Sequence, residues 1–278
     1  MKELKKQWTG IKIISKLDYK TTMRDLLVSG TESGFGRYLC EELGGHEITR
    51  ENKDRKIQEL RIREVDLIIH CAHPSDRRVM SDQISKYMDD TVFLTKELLS
   101  VPHNYFIYVS SIDIYPKNDK EHFEDELIDL SEVDTIYGVT KLMSESLVRK
   151  KGSNHLIIRP SGLLGRYTKK NNLLRLLDDE SPNLTLTGDS EINLVTYKTV
   201  LDFINSARKE ELSGVYNICS SGNVSLMEIA EMVNKGVSFG NYKYDPTNVN
   251  NDRASCIVPA LKSSSRDSVL EYINGQDS

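Results

Sequence analysis

Two hydrophobic patterns alternate along the chain. Short apolar runs predict strands at Leu26–Val28, His46–Thr49, Asp66–Cys71, Tyr105–Val109 and His155–Ile158. Between them, apolar residues recur every three or four positions, which predicts helices at Phe35–Leu43, Ile84–Leu99 and Tyr137–Arg149. Strands without polar alternation, separated by helices, are typical of a parallel sheet covered on both faces. We therefore predict an α/β chain with a doubly wound parallel sheet and right-handed crossovers.

The pattern loosens after Pro160. The apolar positions there predict helices at Leu173–Leu177, Val200–Lys209 and Leu226–Val233, and strands at Leu184–Thr187 and Val215–Ile218. Residues 236–256 are rich in Gly, Asn, Asp and Tyr and predict loops. The second part of the chain is therefore expected to be smaller and less regular than the first.

Charge and cysteine use narrow the class of protein. The 278 residues carry a net charge of −5, which excludes the strongly basic footprint of a nucleic-acid-binding domain. No apolar run approaches the ~18 residues of a membrane span. Cys40, Cys71, Cys219 and Cys256 are too scattered for a zinc site. They predict reduced thiols in a cytoplasmic protein that needs no metal.

A glycine-rich loop joins the first strand to the first helix. Gly30, Gly34 and Gly36 follow a Gly-x-x-x-Gly-x-Gly pattern. Glycines at this turn let the backbone approach a pyrophosphate, which would then lie at the helix N-terminus. In dinucleotide-binding folds an acidic residue after the second strand holds the ribose hydroxyls. Here Arg50 follows that strand, and with Arg37 it could pair with a 2′-phosphate, which favours NADP over NAD.

A tyrosine and a lysine stand four residues apart in the third long helix. Tyr137 and Lys141 therefore share one helix face. An ammonium beside a phenol favours the phenolate, and such a tyrosine can exchange a proton with a sugar or alcohol oxygen. Ser110 and Ser111 follow the strand Tyr105–Val109, where open α/β sheets place their ligands.

Together these motifs resemble the extended short-chain dehydrogenase/reductase superfamily, and within it the NAD-dependent epimerase/dehydratase family. The resemblance covers about residues 24–232 and includes His70-Cys71-Ala72, Arg159-Pro160, Leu164-Gly165 and Val215-Tyr216-Asn217-Ile218. It implies a Rossmann-type cofactor domain over residues 23–160 and a small C-terminal substrate-binding lobe over 161–278. The strand near 215–218 is a candidate for return to the sheet. Residues 1–22 are an extension of unknown role.

The resemblance also implies roles for individual residues. The catalytic residues would be Ser111, Tyr137 and Lys141. Those that bind the cofactor would be Gly30, Gly34, Phe35, Gly36, Arg37, Arg50, Cys71, Ala72, His73, Val109, Tyr137, Lys141 and Pro160. The substrate would be a nucleotide sugar, with Ser111, Asp113, Arg166, Arg175 and Arg253 as candidate ligands. Family members often dimerise through two helices of each subunit, which would be 84–99 and 137–150 here.

Departures from the family pattern bear on the reaction. Only 15 residues separate Arg50 from Asp66, so part of a strand–helix pair must be shortened or missing. Ile112 stands where dehydratases carry an acid, and an apolar side chain cannot protonate a leaving hydroxyl. Two reactions remain, reduction of a 4-keto nucleotide sugar, which we favour, and 4-epimerisation with bound NAD. A non-catalytic dinucleotide sensor or scaffold is the alternative of another class.

Overall fold

A computed structural model describes residues 25–74, 83–152 and 154–275. Its strands are β1 (Leu26–Ser29), β2 (His46–Ile48), β3 (Val65–His70), β4 (His103–Val109), β5 (His155–Pro160), β6 (Gly162–Leu164), β7 (Glu191–Ile192), β8 (Leu194–Thr196), β9 (Gly214–Ile218) and β10 (Val224–Ser225). Its α-helices are α1 (Gly34–Leu43), α2 (Lys53–Leu60), α3 (Ile84–Met88), α4 (Leu94–Leu99), α5 (Ile136–Lys151), α6 (Asn172–Asp178), α7 (Tyr197–Lys209), α8 (Leu226–Met232), α9 (Asp252–Ile257) and α10 (Ser265–Ile273). The expected extension 1–22 lies outside the described residues.

Six strands form one parallel sheet in the order β2-β1-β3-β4-β5-β9. Helices α1, α7 and α9 cover one face, and α2, α4 and α5 cover the other. Ile68 and Ile69 of β3 are both fully buried although they point to opposite faces. This two-sided burial explains the unbroken apolar runs of the strands, and it confirms the predicted doubly wound α/β fold.

The last strand of the sheet comes from far along the chain. Gly214–Ile218 pairs in parallel with β5, where Ile157 is opposite Val215 and Pro160 is opposite Ile218. The sheet therefore takes a strand from the part of the chain that was assigned to the smaller lobe. Residues from both parts of the chain therefore pack together in the core on one face of the sheet.

The edge of the sheet at β2 is one strand shorter than the usual order of dinucleotide-binding folds. The chain runs from β2 through α2 directly to β3, on the other side of β1. The short Arg50–Asp66 connection thus keeps a helix and omits a strand. Strand β2 has only three residues, and its exposed His46 and Glu47 place polar side chains at the open edge.

The predicted helix Ile84–Leu99 is present as three consecutive segments. Helix α3 continues into a π-helical turn at Asp89–Phe93 and then into α4. The helical path is unbroken, as the hydrophobic period predicted. The π turn inserts wider spacing around Thr91, which is buried.

Outside the sheet, short strands and helices α6, α8 and α10 enclose a second core. Strand β6 pairs with β8 in parallel, and β7 pairs with β10 antiparallel. The predicted strand Leu184–Thr187 is wrong, because only an isolated bridge joins Leu186 to Tyr242. Residues 236–256 form loops up to Asp252, where α9 begins. Within the described ranges, no helix combines the length and apolarity that a membrane span requires.

Candidate active site

A cleft of about 640 Å³ opens at the carboxyl ends of the central strands. Its walls come from the glycine loop, from the chain after β4 and β5, from α5 and from the loops around α6. This is the edge at which open α/β sheets bind ligands. The predicted site residues that line it are Gly30, Gly34, Phe35, Gly36, Cys71, His73, Val109, Ser111, Asp113, Tyr137, Lys141 and Pro160.

The glycine loop depends on its glycines at two close approaches. A Cβ on Gly30 would lie 2.7 Å from the Cα of Ala72, and the φ of Gly30 is +79°. A Cβ on Gly36 would lie 2.4 Å from the carbonyl oxygen of Gly30. Larger residues would therefore push α1 away from β1 and β3. As built, the N-terminus of α1 faces the cleft, which suits it to an anion.

Helix α5 carries Tyr137 and Lys141 into the cleft. The hydroxyl of Thr135 caps the helix by accepting a hydrogen bond from the backbone N–H of Gly138. Both site residues are nearly inaccessible, with 3% and 1% of their surfaces exposed. The Nζ of Lys141 donates to the carbonyl oxygen of Val109 at 2.7 Å and lies 5.8 Å from the centre of the Tyr137 ring. A fixed ammonium thus stands beside the phenol.

The two serines after β4 have separate roles. Ser111 lines the cleft, and its Oγ accepts from the backbone N–H of Asp113 at 3.1 Å. Ser110 also borders the cleft, but its hydroxyl donates to Oε1 of Glu145 at 2.6 Å. The turn at Ile112–Ile114 touches α5 closely, because a Cβ on Gly138 would lie 2.3 Å from the Asp113 carbonyl oxygen. This approach brings Ser111 and Tyr137 to one wall.

A buried ion pair supports this wall from behind. Arg159 and Glu145 are 1% and 0% exposed, and two hydrogen bonds of 2.9 and 2.7 Å join them. Burial alone would raise the pKa of Glu145, but hydrogen bonds and charge from Arg159 outweigh it and hold that pKa below its usual range. Arg159 also donates to the hydroxyl of Tyr115, which donates to Asn217 of β9. The network joins α5 to β5 and β9 of the sheet and to the turn after β4.

A buried histidine ties the glycine loop to the neighbouring strand and helix. Oγ1 of Thr95 donates to the Thr91 carbonyl, so it accepts from Nε2 of His70 at 2.9 Å. Nδ1 of His70 is then the acceptor for Oγ of Ser29, at 2.6 Å. Burial, aided by the charge of Lys141, holds the pKa of His70 well below its usual range. The neutral ring therefore links β1, β3 and α4.

A second pocket of about 170 Å³ lies beside the glycine loop, at the end of β2. Ala72 and Arg50 line it, as do two residues that the sequence did not single out, Lys53 and Asp90. The Arg50 guanidinium lies 3.5 Å from Asp90, and its backbone N–H donates to Glu32. Lys53 is the first residue of α2, and that position is the sequence signal that could have identified it.

The other four predicted arginines are not among the residues that line the cleft or the second pocket. Arg37 and Arg166 both pair with Glu41 of α1, at 2.9 and 2.7 Å. Arg253 lies 3.4 Å from Asp125. Arg175 is exposed on α6 and does not line either pocket. The position of Arg37 does not support it as a cofactor ligand. The positions of the other three arginines do not support them as substrate ligands.

Other cleft residues escaped the sequence analysis because they come from irregular segments and from one distant helix. They include Lys169, Lys170, Asn171, Asn172, Asn193, Tyr197 and Tyr244. The Lys169–Asn172 run of polar residues before α6 was the available signal. In the part of the chain that the structure describes, no three His, Cys, Asp or Glu side chains cluster as metal ligands would.

The parallel sheet, the glycine loop at its first crossover and the Tyr137–Lys141 pair define the short-chain dehydrogenase/reductase class of α/β proteins. Within this class, a family model gives the finer assignment. The NAD dependent epimerase/dehydratase family model matches residues 26–179, more than half of the chain, and the chain therefore belongs to that family. A search of the curated proteins finds no significant match.

Solved structures share the fold at low sequence identity. A UDP-glucuronic acid 4-epimerase from Bacillus cereus, in complex with UDP-glucuronic acid and NAD, is 20% identical, with a TM-score of 0.69 over 91% of this chain and 99% of that one. A dTDP-4-dehydrorhamnose reductase from Clostridium acetobutylicum is 14% identical, with a TM-score of 0.73 over 91% and 100% of the two chains. Its counterpart from Bacillus anthracis, in complex with NADP, is 16% identical, with a TM-score of 0.73 over 90% and 99%.

Proposed function

We propose that the protein is an NADP-dependent reductase of a 4-keto nucleotide sugar. The observation that carries the proposal is the convergence of Ser111, Tyr137 and Lys141 on one cleft that the glycine loop also lines. Gly30 and Gly36 leave no room for a Cβ, so their backbone can approach a pyrophosphate directly. The residues present therefore fit a nicotinamide dinucleotide.

Each catalytic residue has a task at the carbonyl to be reduced. A bound NADPH would supply the hydride for the carbonyl carbon. Tyr137 donates its phenolic proton to the carbonyl oxygen, and the hydroxyl of Ser111 orients that oxygen by a hydrogen bond. Lys141, fixed by the Val109 carbonyl, places a positive charge beside the phenol and favours loss of its proton. Pro160 borders the same cleft and helps to exclude water from it.

The end of β2 favours NADP over NAD. Thr49 and Arg50 stand where an acid would hold the ribose hydroxyls, and Lys53 adds a second cation to the same pocket. Two cations suit a 2′-phosphate. The Asp90 carboxylate beside Arg50 partly offsets their combined positive charge. A cofactor that exchanges after each turnover suits a reductase. Ile112, buried where dehydratases carry an acid, supports reduction over dehydration.

Replacement of Tyr137 by Phe tests the assignment. The variant should bind NADPH as the unaltered protein does, because the ring remains, while kcat for a 4-keto nucleotide sugar falls by at least about a hundredfold. NADPH fluorescence measures the Kd, and the loss of absorbance at 340 nm measures turnover. Tyr105→Phe is the matched control, since that hydroxyl bonds Leu212 outside the cleft. Full turnover by Tyr137→Phe would refute the proposal.

The alternative reaction is 4-epimerisation with retained NAD, because the same three side chains can remove and return a proton. A fold neighbour that binds UDP-glucuronic acid and NAD favours keeping it. Mass spectrometry of the denatured, purified protein separates the two. Stoichiometric NAD would favour the epimerase. Dinucleotide binding without hydride transfer to any nucleotide sugar would favour a non-catalytic sensor.

We also propose that the protein is a cytoplasmic homodimer with a face on the helical path 84–99 and on α5. Phe93 is 51% exposed, and Ile84 and Ile136 are 39% and 37% exposed on these helices. Light scattering should give twice the chain mass of 31.7 kDa, and Phe93→Asp should shift it to the monomer. A monomer at all concentrations would contradict this part of the proposal.

A further inference from the structure

The cleft and the pocket at the end of β2 meet at four residues. Gly30, Ser33, His73 and Lys169 line both cavities. Three of them belong to the glycine loop and to the segment after β3. Lys169 comes instead from the loop between β6 and α6. The junction is therefore enclosed by the two parts of the chain.

We propose that Lys169 binds the pyrophosphate of the dinucleotide and closes the cofactor groove from the C-terminal side. The inference rests on the proposed dinucleotide-binding function. A dinucleotide that occupies both cavities must pass the junction with the group between its two nucleosides, which is the pyrophosphate. The N-terminus of α1 faces that group from one side. Lys169 adjoins the same junction from the loop between β6 and α6.

The charge of Lys169 is available to a ligand. Its side chain is exposed and has no ion pair or hydrogen bond with any other residue that the structure describes. The adjacent Lys170 differs, because its Nζ lies 2.5 Å from the Asp179 carboxylate. Lys170 also lines the cleft alone and not the second pocket. The two lysines therefore make a matched pair, in which only Lys169 adjoins the junction.

The loop that carries Lys169 is fastened to the helix that follows the glycine loop. Glu41 of α1 accepts hydrogen bonds from Arg166 and from the hydroxyl of Tyr167, both at 2.7 Å. Arg37, on the same helix, pairs with Glu41 and stacks over the Tyr167 ring at 4.3 Å. These contacts hold the start of the loop against α1. Lys169 follows two residues later, so its backbone is positioned relative to the anion-binding helix end.

An aromatic side chain fixes the other side of the same loop. Tyr197 of α7 packs against Phe35 with ring centres 5.2 Å apart. A Cβ on Gly165 would lie 2.3 Å from the Tyr197 ring, and one on Gly34 would lie 3.6 Å from its hydroxyl. Tyr197 thus touches the glycine loop and the Lys169 loop together. The spacing between the two sides of the junction is set by packing and needs no bound ligand.

Dinucleotide titration of Lys169→Gln tests the inference. We expect the Kd to rise about tenfold for NADPH and by the same factor for NADH, because both carry the pyrophosphate. The factor should shrink in 0.5 M NaCl, as expected for a screened charge. Lys169→Arg should retain most of the affinity. Lys170→Gln, whose ammonium is paired with Asp179, should raise the Kd for either dinucleotide by less than Lys169→Gln does, and Arg50→Gln should weaken NADPH alone.

Two results would overturn the inference while the proposed function stands. One is an unchanged Kd for both dinucleotides in Lys169→Gln. The other is a higher KM for the nucleotide sugar in that variant without any change in dinucleotide affinity. If the unaltered protein binds neither NADPH nor NADH, the proposed function and the inference both fail. Since Lys169 is exposed, an unaltered melting temperature of the variant serves as the check on folding.

Discussion

At the scale of single residues, one face of α5 carries three side chains with different functions. Tyr137, Lys141 and Glu145 are spaced by four, so they follow one another along the helix toward the sheet. The first two reach the cleft, and Glu145 is completely buried against Arg159. Because Glu145 also accepts from Ser110, it connects the helix with the serine turn. A single carboxylate thereby sets the relation between two walls of the site.

Loss of that carboxylate should destabilise the protein strongly. In Glu145→Gln the Arg159 charge stays buried without its counter-ion, which is expected to lower the free energy of unfolding by about 3 kcal/mol or more. Urea unfolding measures the change. Glu132→Gln, at an exposed position, should have little effect. Glu145→Leu combined with Arg159→Met should recover part of the lost stability. A double variant no more stable than Glu145→Gln would contradict the argument.

Cysteine reactivity should follow burial. Burial raises the pKa of the Cys71 and Cys219 thiols to about 12, whereas Cys256 is exposed. At pH 8 only about one in ten thousand of the buried thiols is ionised, so iodoacetamide should modify Cys256 first. While the pH stays below 12, the rate of Cys71 modification should rise about tenfold for each unit by which the pH increases. Peptide mass spectrometry over time tests this order, and rapid labelling of Cys71 at pH 8 would contradict it.

Helical spacing and strand-end position made Tyr137, Lys141 and Ser111 predictable, because those signals lie within one or two elements. The roles of the arginines did not follow from such signals. Arg166 pairs with Glu41, which is 125 residues away. Charge alone made it a candidate for the substrate, and only the packed structure supplies the partner that occupies it. Lys169 stayed hidden because its loop has no periodicity.

Among the elements, two glycines control different contacts of the site. Gly138 lets α5 approach the serine turn, and Gly36 lets α1 approach β1. Both positions are helical, where Ala would ordinarily be the more stable residue. Close contact with backbone oxygens outweighs that preference here. Substitution of each glycine should therefore impair a different step, turnover at Gly138 and cofactor binding at Gly36.

Gly138→Ala should impair turnover without loss of cofactor. The added Cβ would meet the Asp113 carbonyl at 2.3 Å, so the turn that carries Ser111 must move away from Tyr137. A displacement of about 1 Å is expected to lower kcat about a hundredfold. Fluorescence titration should give an unchanged Kd for NADPH. Unaltered kcat would show that the two walls need not approach so closely.

Gly36→Ala should have the opposite signature. The Cβ would meet the Gly30 carbonyl at 2.4 Å and displace the glycine loop, which should raise the dinucleotide Kd. Gly236→Ala is the control, since nothing lies within 4 Å of a Cβ there. Equal affinity of the Gly36 and Gly236 variants would refute the role of the close approach.

The prediction of helices and strands succeeded in the sheet, which is covered on both faces. It failed where an apolar segment is buried among loops. Helix and strand periods located the sheet, because both of its faces are covered. Leu184 and Leu186 have the same apolar spacing, but Leu184 packs in the second core beside loops instead of a neighbouring strand. The missing strand after β2 was visible as a short connection. Which half of the strand–helix pair was lost became clear only from the strand order.

For the whole molecule, β9 makes the two parts of the chain interdependent. A chain that ends at residue 179, the end of the family match, would lack β9 and α7. One edge of β5 and the part of the sheet that α7 and α9 cover would then be bare, so we expect no cooperative thermal transition. Circular dichroism during heating measures this. A transition at the temperature of the full chain would show that the first part folds alone.

The late position of β9 also has a consequence for synthesis on the ribosome. Strand β5 emerges about sixty residues before its partner, an interval of roughly 3 to 12 s at 5–20 residues per second. During that time the apolar Leu156, Ile157 and Ile158 of β5 have an unpaired edge that can associate with other nascent chains. Slower translation of the intervening message should therefore lengthen the vulnerable period. The yield of folded protein in cells would then depend on codon choice between Pro160 and Gly214.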